Sequence, residues 1–195
     1  DATGEADTSL VLLIAIFFFT FVGAELGFGT WIASYAQETG SLNEEMSALL
    51  TSAFWGGLTL GRLAGIPLST RLSPRLMLTS DIAGSVASLL LILAFPGVEW
   101  ALWVGSIGMG VSVATMFATG LNYAEKRMTI TGKVTSAFLV GGSIGGMLVT
   151  WLIGQLFERI GPQVTIVAIL VDMVLAAGVF AAIMIYAGRR PSPTR

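Results

Sequence analysis

Cysteine and histidine are both absent from the 195 residues. Without them the chain has no disulfide, no thiol nucleophile, no imidazole or thiolate ligand for zinc or haem, and no His triad or His proton relay. Charge is also scarce, at 11% of residues, where ordinary globular domains carry roughly 25%. The net charge of −2 points away from nucleic acid as a partner. No GxxxxGK[ST] occurs, and no GxGxxG lies in a strand–turn–helix context, so ATP-driven chemistry is not expected. No enzymatic role and no cofactor are expected. The opening residues, DATGEADTSL, lack an initiator Met and a basic n-region, so they read as a polar loop with chain upstream of it rather than as a signal peptide.

What the chain has instead is apolar length. Hydrophobic residues make up 54% of it, and the mean hydropathy is +0.83. Six apolar stretches run over 10–36, 45–68, 76–95, 101–124, 134–157 and 164–187. Each is long enough to cross a hydrocarbon core of about 30 Å at about 1.5 Å per helical residue. The connections QETGSLNEE, STRLSPR, PGVEW, EKRMTITGK and FERIGPQ carry turn and breaker residues. A β-barrel would need alternating segments of about ten residues, which are missing. The expected fold is an all-α membrane protein of six transmembrane helices over 9–188, with a polar segment over 1–8 and a basic tail over 189–195.

Charge placement orients the spans. Arg71 and Arg75 lie between spans two and three, Lys126, Arg127 and Lys133 between four and five, and Arg189, Arg190 and Arg195 after span six. The opposite loops hold Glu38, Glu44, Glu45, Glu99 and Glu158, with Arg159 their only base. The positive-inside rule then puts both termini on the cytoplasmic side; the acidic Asp1, Glu5 and Asp7 count for little in that rule. Small residues recur at four-residue intervals: Gly57, Gly61 and Gly65 in span two; Ser106, Gly110 and Ala114 in span four; Gly141/Gly145 and Gly142/Gly146 in span five. Such rows let helix backbones approach closely.

Three stretches carry a family resemblance. GRLAGIPLSTRLSPRLML (61–78) joins a Gly-rich helix end to a tight basic turn with Arg71 and Arg75. It resembles the signature loop of the major facilitator superfamily, which normally has an Asp where this chain offers Ser69 or Thr70. TGKVTSAFLVGGSIGGMLVTWLIGQLFERIGP (131–162) is similar to the eleventh helix of that superfamily and its exit turn, here Gly154 to Gly161. GAELGFGTWIASYA, together with TGKVTSAF, resembles the branch of sodium-dependent glucose-transporter-like proteins within the wider fucose-permease-like group. The resemblance spans 9–188 and implies a fold of twelve helices in two six-helix halves, with substrate held between them. The chain would be the C-terminal half, helices seven to twelve. Its partners would be the lipid bilayer, a small neutral solute, and a matching N-terminal half in the same or a separate chain, or else a second copy.

Candidate site residues follow from what a membrane interior makes expensive. Glu25 sits mid-span, where a carboxylate costs at least about 2.5–3.5 kcal/mol and normally faces a cavity or a partner. It is a candidate acceptor for a solute hydroxyl or for a coupling ion, H⁺ or Na⁺; the bland alternative is a neutral Glu bonded to a neighbouring helix. Gly23, Gly27 and Gly29 around it would let the helix unwind and expose carbonyls. Trp31 and Tyr35 read as an interfacial belt or as a sugar-stacking platform. Gly105, Gly108, Ser112, Thr115, Thr119 and Asn122 form one small-and-hydroxyl stripe, which suits either a wet cavity or interhelical hydrogen bonds, with Asn122 near the basic end where a gate would lie. Trp55, on a face with Thr51 and Thr59, could stack on a sugar ring or simply pack. Arg62 and Asp81 fall at similar depths, so they are expected to pair and to support the basic loop. Asp172, mid-span in the sixth stretch, is expected to find a Ser or Thr of span five or a neighbouring protein.

The functional expectation is alternating-access transport of a sugar or similar neutral solute. Its rivals are a transport-inactive six-helix subunit of a larger complex and a receptor-like sensor that binds solute without moving it.

Overall fold

The computed structural model describes residues 7–188; Asp1, Glu5, Arg189, Arg190 and Arg195, counted above for orientation, lie outside the described residues. Every apolar run but the fourth becomes a single helix, and polar caps fix several of the starts. Helix α1 (Thr8–Glu38) begins on Asp7, whose side chain accepts from the Ser9 amide at 3.1 Å. Helix α2 (Glu44–Arg71) begins on Asn43, which accepts from the Met46 amide at 2.9 Å. Ser73 caps α3 (Pro74–Ala94), whose first residue is a proline with no amide to strand. Thr131 caps α6 (Gly132–Ile160), and α7 (Gln163–Gly188) follows Gly161, where φ is +108°, a value glycine alone adopts easily.

Span four is not one helix. It forms α4 (Glu99–Val113) and α5 (Met116–Glu125), separated by a turn at Ala114 and Thr115. The Thr115 hydroxyl donates to Asp81 Oδ2 on α3 at 2.5 Å. From the other side the glycine edge of α2 presses on the same turn: a Cβ at Gly61 would stand 2.6 Å from that of Ala114. The turn is therefore held between two helices. Taken together, α4 and α5 are long and apolar enough to cross a membrane, as are α1, α3, α6 and α7. Helix α2 has the length, at 28 residues, but is less apolar because Arg62, glycines and hydroxyls occupy its interior.

Packing does not follow chain order. Helix α4 lies between α2 and α3, while α1 lies against α6 and α7. The chain thus divides into two trios, α1–α2–α3 and α4/α5–α6–α7, and the first helix of each packs on the second and third of the other. Because α1 and α4 run in opposite directions, this is an inverted repeat. The small-residue rows make the close crossings. Gly141 and Gly145 face the backbone of Ala15 and Phe19 on α1, and Gly57 and Gly61 face Ile107 and Val111 on α4. Aromatic rings fill the centre: Phe18 stacks on Phe138 at 5.3 Å and meets Phe117 edge-on at 5.0 Å, while Phe17 lies 5.8 Å from Phe180. Such pairs each contribute about 0.5–1.5 kcal/mol beyond area burial.

Arg71, Arg75, Lys126, Arg127 and Lys133 share one end of this bundle, and Arg159 lies at the other. At the basic end the Arg127 guanidinium donates to the Ala187 carbonyl at 2.9 Å, and the Tyr186 hydroxyl donates to Asp7 at 3.3 Å, tying the ends of α5, α7 and α1 together.

Candidate functional site

Helix α1 is continuous from Thr8 to Glu38, so its glycines do not unwind it. They serve close approach instead. A Cβ at Gly27 would lie 3.0 Å from Ile153 on α6, and one at Gly29 would lie 2.7 Å from the Trp55 ring on α2. Glycine lowers the cost of both bending and contact, and here contact wins.

The notch at Gly29 seats Trp55, whose ring also meets Phe54 edge-on at 5.0 Å and stays 38% exposed. Further along the same α1–α2 seam, toward the basic end, Arg62 Nη2 stands 3.8 Å from Glu25 Oε1. That separation is an ion pair and too long for a charge-assisted hydrogen bond, which needs about 2.7–2.9 Å. The Glu25 side chain is 13% exposed and that of Arg62 is 58% exposed, so the carboxylate is fixed and the guanidinium is the adjustable partner.

This corrects the expected Arg62–Asp81 pair. Sequence neighbours α2 and α3 are separated by α4, which puts Asp81 on the far side of that helix, bonded to Thr115. Arg62 instead reaches α1.

Beside Arg62, in the half of the bundle nearer the basic end, lies a cavity of about 450 Å³. Arg62, Ser69, Thr115, Thr119 and Asn122 supply its polar lining, and Gly65, Ile66, Met77 and Phe117 are among its apolar walls. Ser69 and Pro74 place the signature-loop region at this cavity, while Arg71 and Arg75 do not line it. The hydroxyl stripe of span four therefore splits. Its lower part (Thr115, Thr119, Asn122) reaches the cavity, whereas Gly105, Gly108 and Ser112 pack on α3 against Ile92, Ser88 and Gly84.

Trp31 is not at the site. Its indole donates to the Thr150 carbonyl at 3.0 Å and packs on Phe157 of α6 at 5.2 Å, so it belongs to a helix–helix contact rather than to a belt or a sugar platform. Tyr35 is buried, its hydroxyl donating to Gln163 at 3.2 Å. Trp31→Phe is expected to lower stability by about 1 kcal/mol through the lost hydrogen bond, while leaving the Glu25–Arg62 seam intact. The midpoint of thermal unfolding of the variant against the wild type would check this.

The structure thus brings Glu25, Gly29, Trp55 and Arg62 onto one seam, and Arg62, Thr115, Thr119 and Asn122 around one cavity. Sequence reasoning missed the Thr115–Asp81 bond and the part played by Ser69 and Met77 in the lining. The one signal for the bond in the sequence was a threonine in span four at a depth similar to that of Asp81 in span three.

No family model matches the chain. Among curated proteins it is 34% identical over 148 residues, 76% of this chain and 29% of the other, to sodium-dependent glucose transporter 1 of Homo sapiens. It is 34% identical over 155 residues, 79% of this chain and 32% of the other, to the protein of the same name from Xenopus laevis. Against major facilitator superfamily domain-containing protein 4A of Homo sapiens it is 31% identical over 148 residues, 75% of this chain and 29% of the other. The chain spans about a third of the length of these relatives.

Proposed function

Because the chain belongs to the major facilitator superfamily, we propose that it forms the C-terminal half of a secondary transporter for a sugar or similar small neutral solute, working by alternating access. The observation that carries this reading is the basic-end cavity, where guanidinium, hydroxyl and amide groups converge beside a mid-span ion pair. Neutral polyols need several donors and acceptors; Thr119 and Asn122 offer both, while the Thr115 and Ser69 hydroxyls, which donate to Asp81 and to the Ile66 carbonyl, offer acceptor lone pairs. The names of two of the relatives, sodium-dependent glucose transporters, support a sugar as substrate and Na⁺ as the coupling ion; H⁺ is the other candidate.

In this reading the basic end faces the cytoplasm and the cavity is its vestibule. Glu25 holds Arg62 when the coupling ion is absent and releases it when the ion or a solute hydroxyl takes its place. Supporting a partner half is the exposure of Arg62. A guanidinium nine residues from the end of α2, with 58% of its side chain uncovered, would otherwise meet lipid. A matching six-helix half, in the same polypeptide or another, would cover the α1–α2 seam and turn the vestibule into a through route.

Uptake of labelled glucose and of a linear polyol into sealed vesicles tests the proposal, using the protein purified with every chain that accompanies it. Thr119→Val and Asn122→Ala are each expected to raise KM about fivefold, the equivalent of one lost hydrogen bond of about 1 kcal/mol. Binding without flux would favour a sensor. Neither binding nor flux by the wild-type protein would favour a structural subunit.

A further inference from the structure

Helices α6 and α7 both lean on α1 but touch each other sparsely. Between them runs a crevice of about 450 Å³, walled by Leu148, Leu152 and Leu156 of α6 and by Val167, Val171 and Leu175 of α7. One charged side chain lines it. Asp172 is 7% exposed, its Oδ2 is sealed and without a hydrogen-bond partner, and no hydroxyl of α6 reaches it. The expected Ser or Thr partner is therefore not there. Nor does any Lys or Arg among the described residues pair with it. On its inner side Asp172 abuts α1 at a place only glycine leaves room for: a Cβ on Gly23 would stand 2.9 Å from Oδ2. Oδ2 is thus turned to α1, and the crevice meets the carboxyl at its other oxygen, Oδ1, which no described residue bonds.

We propose that this crevice binds a lipophilic amine, a membrane-soluble molecule with one ammonium group at the end of an apolar body. The walls accept the body, and the lining of α7 from Val164 to Asp172 spans about 12 Å at the helical rise. The ammonium brings three donors and a point charge to the carboxylate. Opposite charges in an apolar setting attract far more strongly than a neutral hydroxyl and a carboxyl do, so of the amphiphiles that fit the walls the amine gains most. A polyol does not fit, because the crevice holds no second polar group to satisfy its remaining hydroxyls. The site is separate from the vestibule and does not depend on the transport reading.

The test is a titration of the purified protein, in lipid nanodiscs, with dodecylamine and with dodecanol. Ligand retention is read by native mass spectrometry and by thermal shift. Dodecylamine should bind saturably and at least tenfold more tightly than dodecanol. Asp172→Asn should reduce the amine to the level of the alcohol, and Leu152→Trp, on the 44% exposed wall of the crevice, should weaken both. Equal binding of amine and alcohol by the wild type overturns the proposal, as does amine binding that Asp172→Asn leaves intact. Should Asp172→Asn not fold, amine binding unaffected by Leu152→Trp overturns it equally.

Discussion

Gly145→Val is expected to leave almost no correctly assembled protein. A Cβ at this position would overlap the Phe19 carbonyl oxygen and lie 2.7 Å from its carbon. The obstacle is backbone, so no rotamer change relieves it, and α6 would have to move away from α1. Gly141, one turn earlier, would meet the Ala15 carbonyl oxygen at 2.6 Å, so a shift that accommodates one position disturbs the whole crossing. Overpacking a tight contact costs about 1–3 kcal/mol where side chains can yield, and more is expected here. Gly145→Ala should show the same effect at reduced size. Gly178→Ala is the control: nothing lies within 4 Å of a Cβ there, and replacing a mid-helix glycine is neutral or gains up to about 1 kcal/mol. Monodispersity after extraction and the midpoint of thermal unfolding would rank the three. A Gly145→Val protein as stable as Gly178→Ala would mean that α1 and α6 do not cross as described.

Glu25→Gln should reduce solute uptake at least tenfold while leaving assembly intact. Two unit charges 3.8 Å apart attract by about 4 kcal/mol at an effective dielectric constant of about 20. Desolvation of the carboxylate and the exposure of the guanidinium cancel most of this, so the net contribution to stability is about 1 kcal/mol or less. A weak pair with one fixed and one adjustable member suits a switch better than a strut. Arg62→Gln should therefore also abolish coupled uptake but should destabilise more than Glu25→Gln, because it leaves a mid-span carboxylate without its cation. The double variant should recover part of that stability and none of the transport. Initial uptake rates and unfolding midpoints for all four proteins supply the cycle. Full uptake by Glu25→Gln would reduce Glu25 to a packing residue.

What the sequence made legible was set by one-dimensional physics. Span length follows from bilayer thickness, so the six apolar runs were visible. The small-residue rows announced close crossings and did so correctly. Partner identity was not legible. Arg62 and Asp81 match in depth and sit on consecutive helices, yet α4 comes between them, and nothing local in the chain encodes that insertion. The glycines near Glu25 were equally ambiguous, since the missing side chain that permits unwinding also permits a tryptophan ring to lie against the backbone. The stripe of span four was half right for the same reason: helical periodicity places residues on one face without saying where a neighbouring helix ends and a cavity begins.

The crossed packing of the two trios has a consequence for biosynthesis. Helix α1 leaves the ribosome with its notches at Gly23 and Gly27 facing nothing, because the α6 side chains that fill them, Val149 and Ile153, are more than 100 residues further along. At about 5–20 residues per second, the nascent α1 waits on the order of ten seconds in the bilayer before that partner is made. Glu25 waits for Arg62 over a shorter stretch of chain, and Asp81 waits for Thr115. The first trio cannot complete its own interior, so a chain stalled after α3 would present open notches and an Asp81 without Thr115 to lipid and to quality-control proteases. Any variant that slows insertion of α6 should therefore lower the amount of protein in the cell even where the finished fold would tolerate it.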